Sequence, residues 1–375
     1  MLFFKKKLPF YKRYKWAIPL GVIAFLIAIR MILPTAIKIG ANSYLKNDDF
    51  SPVFEAHISD VDLAILRGVY NVQGITAKFK DRDSDFVEIA DVELSLPWRG
   101  VFQKNIIADV VIDKIDFTYS KKLLPAIEEQ LAFMKKKEEE EKDKDEKDDK
   151  DKEPLVRIGR LDVTNSVVRT DLFPALTREQ GIVLTGLNAR VTNLNPTDKV
   201  PMTPFDLQAV LLGSGKIRTE GEAKLLSKPL QWTVDTEMKD FDLTSLNRFL
   251  KQNVPLTFTK GKLDFYAEAV TDQTRIKGYF KPFIKGLDVI KTKEKFKGAK
   301  HWAIELVTAL GNVVMKADQT VATRVPFVFD GVLKPETGDA ISTAFKHGFQ
   351  KELNRGIEHS IGFGQKNIKQ AQEEK

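Results

Sequence analysis

Few side chains in this sequence could make or break bonds, and their spacing argues against such chemistry. The four histidines, His57, His301, His347 and His359, are scattered, and no two stand one helical turn apart beside an acid. No metal centre follows from them. Asp81, Asp83 and Asp85 imitate the start of a calcium loop, but Phe86 stands where the loop needs Gly and Val92 where it needs Glu. A polar hairpin turn is the reading that remains. Gly213-Ser214-Gly215-Lys216 imitates the tail of a phosphate loop, yet Val210 replaces the first Gly and Ile217 the final Ser or Thr. It too reads as a turn. There is no cysteine, which excludes thiol catalysis, and no Gly-x-Ser-x-Gly. The expectation is a protein that is not an enzyme and holds no metal or cofactor. A membrane-anchored enzyme stays as a rival reading, because triads assemble in space.

The elements that would carry a different function are easier to read. The 375 residues are 43% hydrophobic and 30% charged, enough apolar material for a core. Lys5, Lys6, Lys7, Lys12, Arg13 and Lys15, with no acid among residues 1–15, contribute +6 of the formal net charge of +7. The nearly neutral remainder lacks the basic face that nucleic acid requires, so no nucleic-acid partner is expected. After this basic head (1–15) comes Trp16–Leu33, whose one charge is Arg30. It reads as a single transmembrane helix with its N-terminus in the cytoplasm and the bulk of the chain outside, periplasmic if the cell is bacterial. The residues after Leu33 offer poor cleavage sites, so an uncleaved anchor is expected over a signal peptide. Thr35–Leu45 reads as a separate short juxtamembrane helix.

From about Phe54 the period changes to two. Ala90, Val92, Leu94 and Leu96 alternate with polar residues, as do Leu230, Trp232 and Val234, and then Leu263, Phe265, Ala267 and Ala269. In VRIGRLDV the alternation slips at Gly159. Turn signals separate these runs every 8 to 15 residues, and few helical patterns intervene. The expected fold is mainly β with a few helices: a transmembrane helix, a long twisted antiparallel β-meander and a C-terminal amphipathic helix. The meander divides into two β regions, 34–122 and 154–335, around a helix and charged insertion at 123–153. Within that insertion, residues 135–153 carry eight Lys against eleven acids and nothing apolar, which predicts a solvated, disordered or frayed-helix stretch. In the tail, 336–375, Ile341, Phe345, Phe349, Leu353, Ile357 and Ile361 recur every four residues and predict an amphipathic helix.

The motifs HISDVDLAILRGVYNVQGI (57–75), FVEIADVELSLPWRGVFQKNIIADVVIDKIDFTYS (86–120), PLVRIGRLDVTNSVVRTD (154–171) and GKIRTEGEAKLLSKPLQWTVDTEMKDFDLTSLNRFL (215–250) resemble the AsmA-like superfamily of bacterial envelope proteins, in particular its DUF748 branch. Leu243, Leu246, Phe249 and Leu250 match that family's L-x-x-L-x-x-Y/F-L segment, and TKGKLDFYAEAV (259–270) its following strand. The resemblance implies an inner-membrane, periplasm-facing protein with a β-groove for lipid acyl chains, serving phospholipid transport or envelope homeostasis. The chain is much shorter than the family's giant members, so a bridge between membranes would need a periplasmic or outer-membrane protein partner. About fifteen strands would make a sheet roughly 70 Å long. Val92, Leu94, Leu96, Trp232, Val234, Leu263 and Phe265 are the candidate groove lining. Two alternatives stay open: these residues fill the closed core of a sandwich or barrel, or the protein is a lipid-free scaffold that assists assembly or regulation of envelope proteins.

Overall fold

A computed structural model describes residues 17–82, 84–97, 105–142, 155–194, 202–224, 231–250, 256–272, 275–291, 321–322, 324–330 and 355–361. Helix α1 (Ala17–Leu45) leads into strands β1 (Phe54–Ala64), β2 (Val69–Phe79), β3 (Asp85–Ser95) and β4 (Asn105–Tyr119). Helix α2 (Leu123–Lys142) connects them to β5 (Leu155–Thr170), β6 (Ile182–Leu194), β7 (Thr203–Leu211), β8 (Gly215–Lys224) and β9 (Gln231–Asp242). A 3-10 turn (Leu243–Leu246) and the one-turn helix α3 (Asn247–Leu250) precede β10 (Leu256–Asp272), β11 (Arg275–Lys291), β12 (Val321–Ala322) and β13 (Val325–Asp330). All thirteen strands form one open sheet; β1 to β12 follow in chain order and β13 also pairs with β11. Both expected β regions therefore belong to one sheet. Twelve strands in line span about 53 Å, short of the expected 70 Å.

Three expectations need correction. The meander is not antiparallel throughout: β4 and β5 pair in parallel, because a helix returns the chain between them and only a crossover of that length can do so. That helix runs on to Lys142, into the run expected to be disordered or a frayed helix. Lys135–Lys137 stand three and four residues ahead of Glu138–Glu141, and such pairs support an exposed helix. The remainder of the run, 143–153, lies outside the described residues. The juxtamembrane helix is not separate, since α1 is one 29-residue helix with Pro34 inside it. Lastly, Ile357 and Ile361 lie in an irregular segment, Arg355–Ile361, with no helix. The amide groups a helix would use there bond elsewhere, as described below. Ile341, Phe345, Phe349 and Leu353 fall outside the described residues.

The expected span Trp16–Leu33 is described only from Ala17, and several of its side chains are not. Among the described residues no helix is long and apolar enough to cross a membrane. The last turns of α1 pack on β1. Asn42 accepts a hydrogen bond from the Ile58 N–H at 2.7 Å and donates one to its carbonyl at 2.9 Å. Both main-chain groups lie on the outer side of the first strand, so Asn42 closes part of an edge that would otherwise accept another strand.

A line of extra residues crosses the first six strands. Along β7, Leu207 and Leu211 lie four apart and share a face. Through Ala189, Val163 and Ile112, Leu207 connects to Val92; through Leu184, Val168 and Phe117, Leu211 connects to Val87. Val87 and Val92 are five apart, so one residue between them takes no part in the alternation. The same holds in β1, β2, β4, β5 and β6. The odd residue takes positive φ at Gly74 (60°), Lys114 (54°), Asn165 (53°) and Gly186 (56°), and Ser59 reaches across to donate to the Gly74 carbonyl at 2.9 Å. Each strand thereby changes phase at the same level and keeps its apolar residues on one side.

Candidate functional site

The pairing register brings the apolar side chains of every long strand to one face. Val61, Val72, Val92, Ile112, Val163 and Ala189 pair in succession across β1 to β6. The row continues through Leu207, Thr219, Thr236, Ala267 and Phe280 to β11. It contains no charged residue. Only Val61 in it is buried; the other ten are half-buried. In a closed sandwich the middle of such a row would be sealed by a second sheet. Among the described residues nothing makes that second layer.

Short elements do cover two corners. Leu123 and Ala126 of α2 pack on Phe79, beside Phe54, Phe86 and Phe117. The face α2 gives to this contact is narrower than its apolar arc: Leu124, Leu131 and Met134 remain more than half exposed, at 57%, 60% and 56%. Gln130 and Lys137 donate to the Phe50 and Asp49 carbonyls and hold the helix beside the end of α1. At the other corner, Leu243 joins Met238, Phe241, Phe258, Ile284 and Leu287 in the largest buried cluster. Long-range contacts tie the same rim together: Arg82 to Asp171 at 3.3 Å, Phe173 against Phe249 at 5.1 Å, and Arg248 to the Ile182 carbonyl at 2.7 Å.

The predicted lining residues divide between the open stretch and these corners. Leu94 and Val234 share one cross-strand row through Val110, Leu161, Val191, Phe205 and Gly221, although 140 positions separate them in the chain. Six strand spacings put them about 29 Å apart. Val92 and Trp232 lie on the same face, Trp232 opposite Ala223. Leu96 lies past the end of β3, its N–H donating to the Gly68 carbonyl at 2.7 Å. Leu263 and Phe265 are on the face too but pack against the Leu243 cluster. Ala90, which strict alternation places with Val92, is exposed at the phase change. Two glycines keep the surface level: a Cβ on Gly221 would meet the Phe205 ring at 2.6 Å, and one on Gly278 the Phe327 ring at 2.5 Å.

The opposite face is polar and knitted by ion pairs. Arg169 reaches Asp116 at 2.7 Å, Arg178 reaches Glu88 at 2.7 Å and Arg190 reaches Asp162 at 2.7 Å. On β10 and β11 it holds a cluster that sequence reasoning missed. Glu268, Lys281 and Tyr279 are buried, at 1%, 1% and 0% exposure. The Tyr279 hydroxyl donates to Glu268; burial, reinforced by this bond, pushes that phenol well above its ordinary pKa. Arg355–Ile361 lies over the cluster. Period-two alternation assigns Glu268 to the solvent side, and no local signal marks it as covered. Among the described residues no group of histidines and acids could hold a metal ion.

No known protein-family model matches this chain, and no curated protein does either.

Proposed function

We propose that the uncovered apolar face binds the acyl chains of membrane lipids, in a protein that α1 and the preceding residues anchor in a bilayer, and that the protein serves phospholipid transport or envelope homeostasis. The observation that carries this reading is the charge-free row from Val61 to Phe280, half-buried in ten of its eleven positions. Exposed apolar surface on this scale marks an interaction site. Each methylene removed from water contributes roughly 0.8 kcal/mol, so an extended acyl chain on the face is held without any covalent step. The sequence resemblance to AsmA-like proteins and the basic head before the apolar segment agree with an inner-membrane, single-pass placement.

The experiment is lipid extraction from the purified full-length protein followed by mass spectrometry, with a photo-crosslinking side chain at Trp232 or Phe265. Co-purified phospholipid and crosslinks from these positions are expected, with none from Lys277 on the other face. A lipid-free protein, or equal crosslinking from both faces, overturns the reading and leaves the scaffold alternative.

A further inference from the structure

The polar face of β10 and β11 buries charged groups under a segment that has no secondary structure. Glu268 accepts hydrogen bonds from three successive main-chain N–H groups, those of His359 (2.5 Å), Ser360 (2.8 Å) and Ile361 (3.1 Å). The Glu358 N–H donates to the Tyr279 hydroxyl at 2.9 Å. The Glu358 carboxylate in turn accepts from Lys281 at 3.1 Å and from Arg324 at 3.2 Å, and Arg324 lies over the Tyr279 ring at 4.2 Å. The floor thus supplies a carboxylate for a run of amides and two cations for one carboxylate. These are the parts of a site that reads a peptide by its main chain and one acidic side chain.

The way the segment is held distinguishes it from a piece of core. Its apolar contribution is Ile357, packed on Tyr266 and Phe283, together with the half-buried Ile361. It carries backbone cost as well: His359, which has a Cβ, takes φ 50°. Glu268 and Lys281 are groups that water solvates well, so uncovering them restores hydration in exchange for the bonds lost. An element held by charge-assisted bonds, with little apolar burial, is drawn from the low-stability end of a fold.

We propose that the polar face of β10–β11 is a peptide-docking site for a segment bearing one glutamate followed by three N–H groups that turn to a single carboxylate, and that Arg355–Ile361 is its resident, reversibly bound occupant. The site lies on the opposite side of the sheet from the apolar face and does not depend on lipid binding.

The test uses the full-length chain and a labelled peptide of sequence Arg355–Ile361. In the unmodified protein, the amides of residues 359–361 exchange hydrogen at least about tenfold more slowly than in the free peptide, yet faster than those of β10 and β11, and excess unlabelled peptide in trans lowers this protection. Glu358→Ala frees the site while leaving its floor intact, so the labelled peptide binds that chain more tightly than the unmodified one. Adding Glu268→Gln abolishes the binding. Exchange at the free-peptide rate overturns the proposal, as does exchange only in concert with β10 and β11, which would make the segment a fixed part of the sheet. Failure of the peptide to bind the Glu358→Ala chain overturns it too.

Discussion

The two faces of this sheet invert the usual rule of burial. One carries valines, leucines and phenylalanines and leaves them half-buried; the other carries acids and bases and seals Glu268 and Lys281 to 1% exposure. In most domains the apolar face is closed first, because its burial drives folding, and charges stay in water. The contrast teaches that what covers a face here follows from the partner each face can recruit. Four residues, Glu358–Ile361, supply enough donors and charge to satisfy Glu268, Tyr279 and Lys281. No stretch of seven residues could cover an apolar row eleven strands wide. A cover of that extent needs long, repetitive apolar surface, and the acyl chain proposed above has it.

The contrast can be broken from either side. The largest effect is expected from Thr236→Lys, in the middle of the apolar row. A long side chain can lean out to water, so the circular dichroism spectrum should be unchanged. Co-purified lipid, read by mass spectrometry, should fall several-fold; unchanged lipid content would remove the row from the binding surface. A smaller, structural effect is expected from Gly221→Ala. Its Cβ would lie 2.3 Å from the Thr233 carbonyl oxygen and against the Phe205 ring, so a cost of about 1–3 kcal/mol in urea denaturation is expected, as for other overpacked sites.

The smallest effect concerns acid. Burial works against the Glu358 carboxylate, but Lys281 and Arg324 outweigh it and hold its pKa below the ordinary value. A depressed carboxyl pKa stabilises the folded form above the unfolded value, 4.5, and the contribution is lost as pH falls through the folded one. Asp235, beside His359, acts in the other direction: burial and the nearby Glu268 charge raise its pKa, so its contribution is present at low pH and fades as pH rises. Amide protection at residues 359–361 should drop below about pH 4.5 while the β10 and β11 amides hold. Simultaneous loss would mean that the two faces melt as one unit.

Much of the sheet was legible because period-two alternation is a local property. Val92, Leu94, Trp232 and Val234 come out of the sequence on one face, where the register puts them. Reading failed where the cause is not local. Ala90 alternates correctly with Val92 but falls at the phase change, which is set by the neighbouring strands; only the slip at Gly159 and the glycines of β2 and β6 hinted at such irregularities. The parallel pairing of β4 and β5 is foreshadowed by the helix expected within 123–153, which divides the two β regions in the sequence and is a return path in the fold. At its described end, Ile357 and Ile361, the C-terminal stripe misled because a four-residue repeat predicts a helix only while its amides bond within the segment. At His359 to Ile361 they bond to Glu268 instead. Nothing near Glu268 in the chain announces that ninety residues later a partner arrives.

The parallel step also gives the charged run a use that its composition hides. Tyr119 pairs with Thr170 at one rim and Asn105 with Leu155 at the other, so the chain leaving β4 must travel the full length of a 15-residue strand before β5 can begin. That journey is about 46–50 Å. Helix α2 does not make that journey alone, since Gln130 and Lys137 tie it to the Phe50 and Asp49 carbonyls, ahead of β1 at the rim where β4 ends. Shortening the connection between Tyr119 and Leu155 is therefore expected to strain the parallel pairing of β4 and β5 before any other in the sheet.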